Sequence, residues 1–324
     1  MEGLPPELIV LVPLALAAGI DLYLTLLFLG AAPTTSWWSE PLPGALADLD
    51  SPEVLIMVGI FYLLEFAAER YAPSSVIWNA FHAVIRPLAG ALLALLLLDG
   101  EPLLLALAGT VVAGLIASFA HAVRSGGAIV RWLGSATAPH ALAVSMLEDA
   151  LVLAIVALAL DAPLVALVVS GLILSGAAIG APSYARAFAF AVRLAVARVA
   201  QAVTQRRWLG PDELPPWVRE SLEGDVVAPG GALRGSPAGA HRLPGAPRFA
   251  TGWVVVRGGS PLFVYRGRRD SAAVDLGPLT AEGVLETSFF RRVDLRTSGG
   301  APVCVFFGMN GPSEASLRAE FMYA

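Results

Sequence analysis

Residues 86–113 read RPLAGALLALLLLDGEPLLLALAGTVVA: two apolar runs joined by Asp99-Gly100-Glu101-Pro102. A helix needs about 20 apolar residues to cross about 30 Å of hydrocarbon. A polar link of four residues between two such runs leaves room only for a helical hairpin. The same arrangement recurs downstream, where Asp161-Ala162-Pro163 separates two more apolar runs. The fold class follows from these two stretches: a polytopic α-helical membrane bundle.

Outward from the hairpins, six segments have the length and composition of transmembrane helices: roughly 8–30, 53–71, 79–98, 102–122, 139–160 and 163–182. Of the 324 residues 56% are hydrophobic and 15% charged, against about 25% charged in soluble domains. The deficit lies in the first 200 residues, and residues 206–324 have ordinary polar content. The expected organisation is a transmembrane domain at 1–182, an amphipathic basic helix at 183–207, a Pro/Gly-rich linker at 208–250 and a small soluble β-rich domain at 251–324. The N-terminal MEGLPPEL carries acids and no basic run, so the first apolar segment reads as a retained helix rather than a cleaved signal. A single cysteine, Cys304, excludes an intramolecular disulfide and a cysteine-based zinc site.

Every basic side chain is Arg, and the distribution is one-sided. The links at 31–52, 99–102 and 161–163 hold acids and no Arg, whereas Arg70, Arg124, Arg131, Arg186, Arg193, Arg198, Arg206 and Arg207 gather on the opposite side. The positive-inside rule places that side, both termini and the C-terminal domain in the cytoplasm of a multi-pass membrane protein. In 183–207, Arg recurs among small apolar residues. This fits an amphipathic helix on an anionic leaflet and equally a cytoplasmic extension of the sixth helix. The two hairpins can also be overlaid, 85–107 on 147–167, with Asp99 on Asp161 and Pro102 on Pro163, which raises a parallel helical-hairpin repeat.

The charges inside the apolar runs are the candidate site. Arg86 lies thirteen residues before Asp99, Glu148 thirteen before Asp161, and Glu65 twelve after Glu53. At about 1.5 Å per residue these positions, with Asp21 and Asp149, share one layer about 15–20 Å below the outer surface. For Arg86 to lie in that layer, the third helix must either begin near Asn79 or be a half-helix from Pro87. A charge at that depth costs at least about 2.5–3.5 kcal/mol, so it faces the bundle interior and finds a partner. Glu148 and Asp149 are the expected partners of Arg86. Either the pairs are structural and fix helix register, or the surplus carboxylates take up protons or cations, as a binding or coupling site would. His82, His121, Arg124 and Arg131 read as inner-face headgroup contacts or anchors. The four His have no ligand spacing, so no metal and no cofactor are expected.

Gly19-Ile20-Asp21-Leu22-Tyr23-Leu24, Glu65-Phe66-Ala67-Ala68-Glu69, Arg86-Pro87-Leu88-Ala89-Gly90, His121-Ala122-Val123-Arg124 and Ser145-Met146-Leu147-Glu148-Asp149 occur in this order. Together they resemble the bacterial membrane proteins grouped as domain of unknown function 4126, over about residues 8–182. The family's second helix usually ends in an acid followed by Asp-Lys, where this chain has Glu65 followed by Glu69-Arg70. The resemblance implies a bacterial inner-membrane protein and no particular activity.

Beyond the linker, β-like runs at 253–257, 261–266, 272–276, 285–297 and 302–307 are punctuated by Gly258-Gly259 and Gly299-Gly300. A closing helix at 313–322 has Ser313 as its N-cap. The pattern suggests a small cytoplasmic β-barrel or sandwich of pleckstrin-like outline. Arg266, Arg268 and Arg269 form a basic turn, and Cys304 reads as a strand residue. No nucleophile–base pair or phosphate loop appears, so the chain is not expected to be an enzyme or to bind nucleic acid. Two functions remain open. One is a small-solute or lipid-headgroup transporter, linked to a proton or cation. The other is a membrane scaffold or sensor whose domain at 251–324 binds a cytoplasmic protein.

Overall fold

The computed structural model describes residues 6–35, 38, 42, 44–69, 72–133, 138–200, 207–222, 233–267, 270–287 and 290–322. The chain divides into two compact units, Met1–Ala185 and Arg186–Ala324.

The first unit is helical: α1 (Pro6–Ile20), α2 (Leu22–Ala31), α3 (Pro52–Glu69), α4 (Ala72–Leu97), α5 (Leu103–Leu133), α6 (Ala138–Asp161) and the start of α7 (Pro163–Ala200). Among the described residues, three stretches are long and apolar enough to cross a membrane: Leu103–Val130, Leu142–Asp161 and Pro163–Leu194. Shorter apolar runs occur at Glu7–Ile20, Leu22–Thr34 and Phe81–Leu97. Helix α1 is the hub. Leu11, Leu14, Ala15, Leu16, Ala17 and Ala18 are all buried, and α4, α5 and α6 pack around it. The outward faces are apolar as well, with Ile60 and Leu63 on α3, Leu88 and Leu92 on α4, Leu104 and Val111 on α5, and Leu172 and Ile179 on α7. Water would not support so continuous an apolar surface; the acyl region of a membrane does.

The structure revises two helix expectations. The first apolar run is not one helix, because it breaks at Asp21, whose backbone is extended (φ −142°, ψ 105°). The third helix begins at Ala72 and carries Pro87 in its interior, so Arg86 lies well inside it and the half-helix alternative falls away. Helices α1, α4 and α5 meet closely where Gly19 and Gly90 face Ala117. A Cβ on Gly19 would stand 2.6 Å from Ala117 O, and one on Gly90 2.7 Å from Ala117 Cβ.

The second unit is built on one seven-stranded antiparallel sheet: β1 (Leu233–His241), β2 (Ala250–Arg257), β3 (Ser260–Arg266), β4 (Ser271–Asp275), β5 (Thr280–Glu286), β6 (Phe290–Arg296) and β7 (Pro302–Gly308), in the order β4-β3-β2-β1-β7-β6-β5. The expected linker at 208–250 therefore holds the central strand β1, together with the short helix α8 (Pro216–Glu220). The expected strand at 285–297 is two strands, β5 and β6, paired as a hairpin. Gly258 and Gly259 both have positive φ (58° and 88°) in the two-residue loop between Arg257 and Ser260, the conformation a tight hairpin needs. Helix α9 (Glu314–Met322) starts where Ser313 Oγ accepts the Ser316 N–H at 3.3 Å. It buries Leu317 in a core with Val254, Phe263, Val293, Val305 and Phe307. The fully buried Arg291 ties β6 to the turn before α9 by donating to Glu286 Oε2 (2.8 Å) and Pro312 O (2.9 Å). Of the expected basic turn, Arg268 and Arg269 lie outside the described residues. Arg266 stacks on the Trp217 ring at 5.0 Å.

Candidate functional site

The break at Asp21 generates the site. In an unbroken helix the Leu24 N–H would bond to Ile20 O. Here Asp21 Oδ1 accepts it at 2.9 Å, which caps α2 and releases the last carbonyls of α1. Arg86 takes them up. Its Nη1 donates to Gly19 O at 2.8 Å and to Ile20 O, while Nη2 pairs with Glu65 Oε1. Arg86 is fully buried and Glu65 is 2% exposed. A guanidinium there has its charge matched by a carboxylate and by the negative end of α1's dipole.

The network continues outward from Glu65. Arg124 Nη1 lies 3.4 Å from the same Glu65 oxygen, and Arg124 Nε donates to Glu148 Oε2 at 3.0 Å. The ladder Arg86–Glu65–Arg124–Glu148 runs from a buried end to Glu148, whose side chain is 20% exposed. Asp149 accepts from Tyr62 Oη at 3.2 Å. On the other side of Arg86, Tyr23 Oη donates to His82 Nε2 at 3.0 Å, and His82 Nδ1 donates to Trp78 O at 2.9 Å. The Trp78 carbonyl can only accept, which fixes the His82 tautomer. His121 Nε2 donates to Asn79 O at 3.0 Å. Its Nδ1 is buried with no hydrogen-bond partner among the described residues. Ser125 Oγ donates to Asn79 Oδ1 at 3.0 Å.

All five expected layer residues thus lie in or beside this network, but the pairing differs. Arg86 pairs with Glu65 rather than Glu148 or Asp149, because α1 packs against both α4 and α6 and offers Arg86 its own carbonyls. Arg124 is no headgroup contact. Helix α5 continues to Leu133, so Arg124 is two turns from its end and reaches inward. His82 and His121 are likewise buried rather than at a headgroup surface. The side chain of Arg131 lies outside the described residues. Sequence reasoning missed Tyr23, Tyr62, Asn79 and Ser125. The His82–Arg86 and His121–Ser125 spacings of four residues mark a common face and were the signal available. Four carboxylates now meet two guanidiniums, a smaller acid surplus than the layer without Arg124 carried.

In the second unit His241, Cys304 and Asp294 lie in register across β1, β7 and β6. Cys304 Sγ lies 3.4 Å from Asp294 Oδ1. Burial, then the Asp294 charge, push its thiol up to about 11, so it stays protonated and is a poor nucleophile. Among the described residues, no group of three or more His, Cys, Asp or Glu is placed to hold a metal ion.

A bundle with an apolar exterior, a broken central helix and an ion-paired polar centre, followed by an antiparallel sheet unit, defines a membrane-type protein class. The chain belongs to the family described as a domain of unknown function (DUF4126), whose profile matches residues 8–205. No curated protein and no solved structure matches it.

Proposed function

We propose that the chain is a multi-pass inner-membrane transporter, not an enzyme, whose polar centre takes up a proton, a cation or a small polar solute. The observation that carries this reading is the graded ladder from Glu148, partly exposed, to Arg86, fully buried on the broken end of α1. Irregular backbone at membrane depth occurs where it is buried in protein or lines a cavity, and transporters use broken helices at their binding sites. Rearranging one rung, Arg124 between Glu65 and Glu148, would open a route to the centre without breaking the Arg86–Glu65 pair. The one-sided Arg distribution supports six crossings with both termini cytoplasmic, and the overlaid hairpins support a duplicated unit.

A second reading is a scaffold or sensor whose sheet unit binds a cytoplasmic protein. One observation favours it: Arg86 has both terminal nitrogens engaged and no exposure, as a permanent structural tie would. Ligand-linked stability separates the two. A site ligand at a hundred times its Kd adds about 2.7 kcal/mol. The transport reading expects a monovalent cation or a small anion, at fixed pH, to raise the melting temperature of the purified chain, and Glu148→Gln to abolish the shift. A melting temperature indifferent to all of them would favour the scaffold.

A further inference from the structure

Helix α7 carries an apolar run, Pro163–Leu194, of 32 residues. That is about 48 Å of helix against about 30 Å of hydrocarbon. Tilt alone would have to reach about 50°, beyond the observed range of about 0–40°. The last part of the run therefore does something other than cross. Its side chains divide into three faces. Ala187, Phe190 and Leu194 are buried, and Phe190 packs edge-on against Phe306 (centroids 5.4 Å apart) and over Gly239. Arg186 and Arg193 are exposed on a second face. Phe188, Val192 and Val196, four residues apart, form a third, and they are 49%, 45% and 62% exposed. Elsewhere in the described part of this unit, the other exposed large apolar side chains are Leu285 at 44% and Met322 at 37%.

We infer that Arg186–Val196 is an interfacial anchor for an anionic bilayer: Phe188, Val192 and Val196 enter the headgroup–acyl boundary and Arg186 and Arg193 meet lipid phosphates. Three features select lipid as the occupant. The stripe continues an apolar run already long enough to cross. It is flanked by cations and no acid between 186 and 196. And its opposite face is already taken by the sheet. Apolar insertion and attraction to anionic lipid act together in such segments, and each Arg near the surface adds about 1 kcal/mol. The sheet unit, through Phe190, would be held at the leaflet. The inference is independent of what the polar centre carries.

The test is the depth of a nitroxide at position 192, in the full chain carrying Val192→Cys and Cys304→Ser, in nanodiscs of phosphatidylcholine with or without phosphatidylglycerol. Ser298→Cys, at an exposed turn, serves as the aqueous reference, and Val196→Cys repeats the reading one turn on. In anionic discs, oxygen should relax the labels at 192 and 196 more than an aqueous nickel chelate does, with the opposite order at 298. The preference should fall when phosphatidylglycerol is omitted or when Arg186→Gln and Arg193→Gln are introduced. A water-like label at 192, shielding from both reagents as under a protein partner, or indifference to lipid charge would each overturn the inference.

Discussion

Asp21 takes the Leu24 N–H, and Arg86 takes the carbonyl that Leu24 would have used. The cap makes a direct prediction. Asp21→Ala should destabilise the chain in detergent by about 0.5–2 kcal/mol, whereas Asn, an equally good cap, should be tolerated. An equal loss for both would mean that the carboxylate's charge matters more than its hydrogen bond. The Arg86–Glu65 pair makes a second. Removing one partner of a buried pair costs about 3–5 kcal/mol, because the survivor is left uncompensated. Arg86→Leu and Glu65→Leu should each fall in that range and the double variant should recover part of the loss, as a double-mutant cycle on chemical unfolding would measure. Strict additivity would remove the pair from the account. In the second unit, burial, then Arg242 and Arg248, lower His241 to about 4 from an ordinary value near 6.5. Between those values the unfolded chain binds more protons than the folded one, so stability is complete above pH about 6.5 and is lost as pH falls towards about 4. Thermal unfolding of the chain against pH should show this slope, and His241→Phe should flatten it. At this scale the rise per residue singled out Asp21, Glu65, Arg86, Glu148 and Asp149, which the structure brings into or beside one network. It did not reveal who pairs with whom, since depth carries no information about direction around a helix.

Helix packing supplies that direction. Gly19 and Gly90 bring α1 and α4 onto Ala117 of α5, and this close approach sets the end of α1 within reach of Arg86. Gly19→Ala should push α1 away from backbone that cannot yield and cost about 1–3 kcal/mol, the usual range for overpacking. A melting temperature equal to wild type would show that the contact is looser than its geometry. The same elements show where sequence reading stops. LAAGIDLYLTL reads as uninterrupted apolar helix, and only the extended backbone at Asp21 reveals the break. Strand β1, LRGSPAGAH, has two Gly, a Pro and no apolar alternation, so its composition reads as linker. It is a strand because β2 and β7 flank it and satisfy its backbone. In contrast, the Gly258-Gly259 turn and the Ser313 cap were legible, because both are local chemistry that needs no tertiary partner.

For the whole molecule, the apolar exterior and the division into two units were legible from composition alone, because lipid and water select different surfaces. The seam was harder to read. Helix α7 runs unbroken from Pro163 to Ala200, across the point where the two units divide, so no loop marks it. The Arg asymmetry predicts that reporter fusions after residues 100 and 162 report the outer side and fusions after 322 the cytoplasm. A cytoplasmic signal at 100 would reverse the topology. The central claim is that the ladder ending on Arg86 is a working site rather than a brace. Proteoliposomes holding a pH-sensitive dye, read alongside the thermal stability of the same preparation, test it most directly. Under an imposed gradient, the account predicts proton- or cation-linked flux above empty liposomes that is lost in Glu148→Gln while that variant still shows a cooperative thermal transition. Flux no faster than empty liposomes, or unaltered by Glu148→Gln, would contradict it.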